Sequence, residues 1–115
     1  MNACQKGKRG ERELANYLKS EHGIDARRGQ QFCGGGDSPD VVTNIKGLHI
    51  ECKRVERLNM RDAVAQAEGD AAGKDWIVAH RWNNGQWLVT VKLDHYFNLR
   101  RLAVKDDYEA TVPVG

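Results

Sequence analysis

The stretch SPDVVTNIKGLHIECKRV, residues 38–55, decides the fold. Two runs rich in β-branched and apolar residues flank a Lys-Gly pair, and Gly47 can supply the positive φ that a tight hairpin turn requires. The stretch is therefore predicted to form a strand, a turn and a strand. It also places Asp40, Glu51 and Lys53 where a core should be forming, and these charges need an explanation.

Alternation along the second strand separates apolar from polar side chains. One face takes Leu48, Ile50 and Cys52, and the other takes His49, Glu51 and Lys53. One face is therefore core and the other can carry chemistry.

The turn decides which residues face each other across the hairpin. If Ile45 and Leu48 close a two-residue turn, the expected pairs are Asn44 with His49, Val42 with Glu51, and Asp40 with Lys53. Asp40, Glu51 and Lys53 then share one face. A four-residue loop keeps this parity, whereas a three-residue loop breaks it.

A helix over Lys8–Ser20 is predicted from the spacing of Leu14 and Leu18. At about 100° per residue, Glu11 lies within roughly 20° of Leu18, on the stripe that faces the sheet. Glu13 lies well away from that stripe. The two glutamates are therefore expected to have different surroundings.

The rest of the chain alternates strands and helices. A second helix is predicted over Met60–Ala72 with Asn59 as its N-cap, and Asn-Asn-Gly at 83–85 predicts a hairpin. Further strands are expected in residues 24–32, 75–82 and 86–92, and a third helix in 93–102. The prediction is an α/β fold with a mixed five-stranded sheet flanked by helices, one domain over 1–102 and a tail or dimer arm over 103–115.

Composition fits one globular domain: the chain has 115 residues, 40% hydrophobic and 30% charged. No stretch approaches the roughly 18 apolar residues of a membrane span, and no apolar segment follows the basic N-terminus, so no membrane association or secretion is expected. We expect a cytoplasmic protein of a bacterial, archaeal or phage-infected cell. Cys4, Cys33 and Cys52 form no CxxC pair, which suits a reducing compartment. Zinc held by Cys33, Cys52 and His49 is an alternative, although isolated strand cysteines are more often buried apolar groups.

Asp40, Glu51 and Glu11 bring more negative charge toward Lys53 than one lysine can neutralise. A divalent cation would resolve the imbalance, and carboxylate oxygens suit Mg²⁺ or Mn²⁺. Such an ion can polarise a phosphodiester, and Lys53 can orient the attacking water. The residues therefore predict a metal-dependent phosphodiesterase.

Pro39-Asp40 followed by Glu51-Cys52-Lys53 resembles the PD-(D/E)XK nuclease signature. With the preceding helix GKRGERELANYL, the chain is similar to the archaeal and phage-type Holliday junction resolvase branch. The resemblance implies a restriction-endonuclease-like core.

The resemblance also implies roles for individual residues. Asp40 and Glu51 would bind Mg²⁺, with the Cys52 carbonyl and Glu11 as further ligands. Lys53 would be the catalytic lysine, and Gln66 would support the site.

DNA is the expected partner. Phosphate contacts are predicted for Lys6, Lys8, Arg9, Arg27 and Arg28. Since a four-way junction has two-fold symmetry, a homodimer is expected, with the Trp-bearing hairpin, the third helix and the tail as its interface. Two alternatives remain: a restriction-like or repair nuclease without junction preference, and a non-catalytic nucleic-acid-binding module.

Overall fold

The computed structural model describes residues 3–29 and 40–104, with residues 3–6 described by their backbone alone. Three helices and five strands occur in this part of the chain, in the predicted order. They are α1 (Ala3–His22), β1 (Ala26–Arg28), β2 (Val41–Thr43), β3 (Leu48–Arg54), α2 (Met60–Ala71), β4 (Asp75–Arg81), β5 (Leu88–Thr90) and α3 (Leu93–Ala103). Among these residues, no helix combines the length and apolar character of a membrane span.

The five strands form one mixed sheet in the order β1-β2-β3-β4-β5. β3 and β4 are parallel and are joined through α2, while the other neighbours are antiparallel. A parallel pair needs such a crossover, because a short turn can only reverse the chain. The predicted α/β fold with a mixed five-stranded sheet is confirmed.

The helices α1 and α2 cover opposite faces of the sheet. Leu14 and Ala15 of α1 pack with Val41 and Ile50 in one buried cluster. On the other face the alanines of α2 pack close to the sheet around Val78. Because Glu51 is the register neighbour of Val78, the face of β3 that carries Glu51 is the α2 face.

Gly10 lets α1 cross the end of β3 at close range. A Cβ atom at this position would lie 2.5 Å from Cβ of Arg54. A side chain here would push helix and strand apart, which is the physical reason for glycine within a helix that it otherwise weakens. The crossing places Glu11 and Glu13 over this part of the sheet.

The predicted boundaries needed adjustment at several ends. The first helix begins at Ala3 and ends at His22, beyond both ends of the predicted 8–20 range. Apolar spacing could not reveal the added residues, because the stripe of large apolar side chains does not extend into 3–7 or 21–22. The second helix matches its prediction closely: Asn59 caps it by accepting the Asp62 N–H at 3.1 Å.

The predicted hairpin pairing was wrong by two residues. Val41 pairs with Ile50, and continuing this register places Asp40 opposite Glu51 instead of Lys53. Four residues, 44–47, separate the strands, with Gly47 at φ 75°. A loop with an even number of residues keeps side chains on the same side of the sheet, so Asp40, Glu51 and Lys53 still share one face.

Candidate active site

Asp40 and Glu51 meet where β2 and β3 lie side by side. Asp40 Oδ2 accepts the Cys52 N–H at 2.8 Å, which fixes its carboxylate against β3. The Asp40 side chain is also hydrogen-bonded to the Glu51 carboxyl group. Glu51 is only 1% exposed. Two carboxyl groups therefore meet at a site where Glu51 is closed to water and Asp40 is half-buried.

Lys53 brings a cation to this pair. Its Nζ lies 3.8 Å from Glu51 Oε2 and donates to Gln66 Oε1 at 2.9 Å. Its side chain keeps about a quarter of its surface in solvent, at 26% exposure. Gln66 projects from α2 and holds Nζ in place. The structure thus brings together Lys53, Glu51, Asp40 and Gln66, all four selected from the sequence.

The electrostatics show that one lysine does not balance the acids. Burial, followed by the charge and hydrogen bond of Asp40, raises the pKa of Glu51 to about 8, although Lys53 acts to lower it. An ionised Glu51 in this position is therefore costly unless more positive charge is supplied. The donor set is all oxygen, which suits a hard divalent cation.

This shift predicts a pH-dependent stability of the metal-free protein. Because the pKa of folded Glu51 lies above its ordinary value of 4.5, its effect favours folding at low pH and is lost as pH rises toward about 8. Through Glu51, the free energy of unfolding of the wild type should fall by on the order of 4 kcal/mol between pH values of about 4.5 and 8.5. Glu51→Gln should abolish this fall. Urea unfolding in EDTA at both pH values measures it. Glu21→Gln, at an exposed position, is the matched control, and equal pH dependence in wild type and Glu51→Gln would contradict the prediction.

Glu11 approaches from the α1 face. It is 9% exposed, as its place on the helix stripe predicted, and its Oε2 lies 4.0 Å from Arg28 Nη1. Burial raises the pKa of the Cys52 thiol, and the charges of Asp40 and Glu11 raise it further, so both acids lie near Cys52. The structure thus groups Asp40 and Glu51 with Lys53, and groups Glu11 with Arg28 on the Cys52 side of β3.

The basic residues chosen for DNA contact have varied surroundings. Lys8 and Arg9 are exposed on α1, and Arg27 is exposed on β1, an edge strand of the sheet. Arg28 is half-buried beside Glu11. The side chain of Lys6 lies outside the described residues, as do residues 30–39, which include the Gly-rich segment and Cys33.

Glu13 belongs to an ion-pair cluster that the sequence did not reveal. Its Oε1 accepts from Arg54 Nε at 3.2 Å and also from Arg81 Nη1. Arg54 Nη2 donates in addition to Asn83 Oδ1 at 3.0 Å. The cluster ties α1 to the ends of β3 and β4. No local sequence pattern predicts this cluster, because its members are far apart in the sequence.

His49 and Asp70 were also not assigned to the site from the sequence. His49 Nε2 lies 3.1 Å from Glu51 Oε1, and donor atoms of His49, Glu51 and Asp70 all fall within 4.8 Å of one another. Alternation places His49 on the Glu51 face, and Asp70 follows Gln66 by one helical turn, so spacing could have indicated both. His49 and Cys52 point to opposite faces of β3, which speaks against the zinc alternative.

Comparisons with known proteins agree with this geometry. The family model of the archaeal Holliday junction resolvases (Hjc) matches residues 2–101. A solved structure, Hjc from Archaeoglobus fulgidus, a Holliday junction resolvase from an archaeal hyperthermophile, is 28% identical, with a TM-score of 0.50. The match covers 75% of this chain and 72% of the archaeal chain. No curated protein sequence matches significantly. The chain therefore belongs to the archaeal Holliday junction resolvase family and is a junction-resolving nuclease of the PD-(D/E)XK type.

Proposed function

We propose that this nuclease cleaves four-way DNA junctions by Mg²⁺-dependent hydrolysis at the site formed by Asp40, Glu51 and Lys53. The observation that carries this proposal is the pairing of buried Glu51 with half-buried Asp40, with Lys53 Nζ 3.8 Å from Glu51. A purely structural ion pair would not need a second acid beside the buried one, because that acid adds repulsion. The arrangement instead fits a reaction that uses two carboxylates and an amine.

The donor set fits Mg²⁺, with Mn²⁺ as a substitute. Asp40 and Glu51 would hold the ion, and the Cys52 carbonyl and Glu11 are proposed as further ligands. When bound, Mg²⁺ activates water and neutralises charge on the phosphate. The raised pKa of Glu51 supports this assignment, since added positive charge would favour its ionised form.

Lys53 is proposed as the catalytic lysine. Its ammonium group can donate to the attacking water and offset the charge that grows on the phosphoryl oxygens. The hydrogen bond to Gln66 Oε1 at 2.9 Å uses one of its three donors and fixes its direction. Gln66 therefore acts as a positioning residue, and the remaining donors stay available to water and substrate.

DNA is proposed to lie along the basic surface beside the site. Exposed Lys8, Arg9 and Arg27, together with Lys6 and Arg28, would contact phosphates, which makes junction affinity salt-dependent. Cleavage of junctions serves DNA recombination and repair. We propose that this takes place in the cytoplasm of a bacterial, archaeal or phage-infected cell.

A homodimer is proposed because a two-fold substrate calls for two coordinated sites. An apolar surface on α3 supports it: among the described residues, α3 has no buried side chain and packs closely on no other element. Its exposed apolar residues are Leu93, Tyr96, Phe97, Leu99 and Leu102. We propose α3, the neighbouring β4–β5 hairpin and the 103–115 segment as the interface.

Leu99→Glu should convert the dimer to a monomer. Leu99 is 51% exposed in one chain, and a charge there would be buried against the partner. We expect light scattering at micromolar concentration to show one chain instead of two, with unchanged circular dichroism. Asn98→Glu, which adds the same charge to the same helix, is the control; a dimeric Leu99→Glu protein would contradict this interface.

Cleavage of a DNA panel tests the function itself. Wild-type protein is incubated with four-way junction, flap and linear duplex, with and without Mg²⁺, at low salt. We expect paired cuts in the junction only, and only with Mg²⁺. Equal cutting of duplex would favour the restriction-like or repair nuclease. Binding without any cutting would favour the non-catalytic module.

A further inference from the structure

A second group of metal-binding side chains lies next to the proposed catalytic site, on the α2 face. His49 is 4% exposed and Glu51 1%, while Asp70 is exposed at the end of α2. One donor atom from each lies within 4.8 Å of the other two. The group therefore joins two buried donors to one exposed donor.

The two oxygens of Glu51 point to different neighbours. Oε1 lies 3.1 Å from His49 Nε2, and Oε2 lies 3.8 Å from Lys53 Nζ. The carboxylate can therefore serve the catalytic site with one oxygen and the His49–Asp70 group with the other. Carboxylates take either one or two oxygens to a cation, so this use is chemically ordinary.

The separation of His49 and Glu51 fits two ligands of one ion. Bonds of about 2.1 Å at a right angle place two donor atoms about 3 Å apart. A histidine–carboxylate hydrogen bond has the same length, so the third donor is the discriminating observation. A hydrogen bond alone gives no reason for Asp70 to approach Glu51, because their charges repel each other.

A cleft adjoins two members of this group, His49 and Asp70. His49, Asp70 and Lys74 line a cavity of about 270 Å³ at the end of α2. That volume holds an ion with several waters, since one water occupies about 30 Å³. His49 Nε2 lies 3.1 Å from Glu51 Oε1 at the edge of this cleft, so an imidazole nitrogen is at hand for an ion bound there. Lys74 also lines the cleft, and a bound cation would compete with its ammonium group for the Asp70 carboxylate.

We propose that His49, Glu51 and Asp70 form a second divalent-cation site, which shares Glu51 with the proposed catalytic site. A nitrogen donor among oxygens favours a transition metal such as Mn²⁺ over Mg²⁺. The proposal rests on the proposed function only through the shared Glu51. It can be tested without DNA and without cleavage.

Counting bound Mn²⁺ tests the site. Metal-free wild-type protein is titrated with MnCl₂ alone, and free Mn²⁺ is measured by electron paramagnetic resonance. We expect two equivalents per chain in wild type, one in Asp70→Asn, one in Asp40→Asn and none in the double variant. Glu68→Gln removes the same charge from an exposed position of the same helix and should keep two. Equal counts in wild type and Asp70→Asn, or no bound Mn²⁺ in Asp40→Asn, would overturn the proposal.

The nitrogen ligand has its own signature. Electron spin echo of bound Mn²⁺ should show nitrogen coupling in Asp40→Asn protein, where only the second site is filled, and none after His49→Gln is added. Absence of nitrogen coupling in Asp40→Asn would also overturn the proposal. Junction cleavage in Mg²⁺ with a Mn²⁺ count of one would reject this site and leave the proposed function standing. A count of two without cleavage would support this site and reject the proposed function.

Discussion

Lys53→Ala should reduce the rate of junction cleavage by about 100- to 1,000-fold, the usual cost of removing one donor that stabilises charge in the transition state. The loss should appear in the chemical step, because Nζ lies beside Glu51 and Gln66 at the site and not along the exposed basic surface. Single-turnover cleavage with enzyme in excess and saturating Mg²⁺ measures this rate. Junction affinity, measured in Ca²⁺, should change less than threefold.

Lys46→Ala provides the matched control for charge. Lys46 is exposed in the β2–β3 loop, so its removal lowers the net charge equally and should leave the cleavage rate unchanged. Gln66→Ala should give an intermediate loss of roughly tenfold, since it loosens Nζ without removing it. A Lys53→Ala enzyme that cleaves at the wild-type rate would remove Lys53 from the mechanism.

Asp40→Asn should reduce cleavage by at least about 1,000-fold, because it deletes a metal-binding charge and not a supporting contact. The substitution keeps the size of the side chain, and the amide oxygen can still accept the Cys52 N–H now bound at 2.8 Å. Above the Glu51 pKa of about 8, the metal-free fold should gain stability, since the carboxylate that repels ionised Glu51 is gone. Cleavage rates across a Mg²⁺ titration, with urea unfolding in EDTA, measure both effects.

Asp25→Asn is the control for the loss of an aspartate. Asp25 is exposed before β1, away from the pair, and its variant should match wild type in rate and stability. If Asp40→Asn lowers the cleavage rate but raises the free energy of unfolding, the Asp40–Glu51 pair serves the reaction and destabilises the fold. Equal losses of both would mean that Asp40 is mainly structural, and the metal assignment would have to be abandoned.

Local patterns along the chain were sufficient for much of this picture. Strand alternation separated Glu51 and Lys53 from Leu48, Ile50 and Cys52, although α2 makes the Glu51 face a core face as well. Helical spacing predicted that Glu11 is buried while Glu13 is not. The Asn59 cap and the hairpin at Asn-Asn-Gly were also predicted from the sequence, and the structure confirms both. These features depend on backbone periodicity and turn chemistry within a few residues, which a single sequence displays directly.

Register and the assignment of faces required the tertiary structure. The sequence could not distinguish a two-residue from a four-residue loop, so it predicted Asp40 opposite Lys53, while the structure pairs Val41 with Ile50. The threonine before the loop holds its first turn, since Thr43 Oγ1 accepts the Ile45 N–H. Both loops preserve parity, which is why the site residues still share a face although their predicted pairing was wrong.

The sequence by itself determined the order of helices and strands, the polar face of β3 and the residues of the proposed catalytic site. The tertiary structure alone decided that α1 and α2 cover opposite faces, so that Glu11 meets Arg28 while Glu51 meets Lys53 and His49. It also brought Asp70 to His49. The reason is physical: periodicity fixes where a side chain points relative to its own backbone, whereas packing between distant segments fixes what it meets.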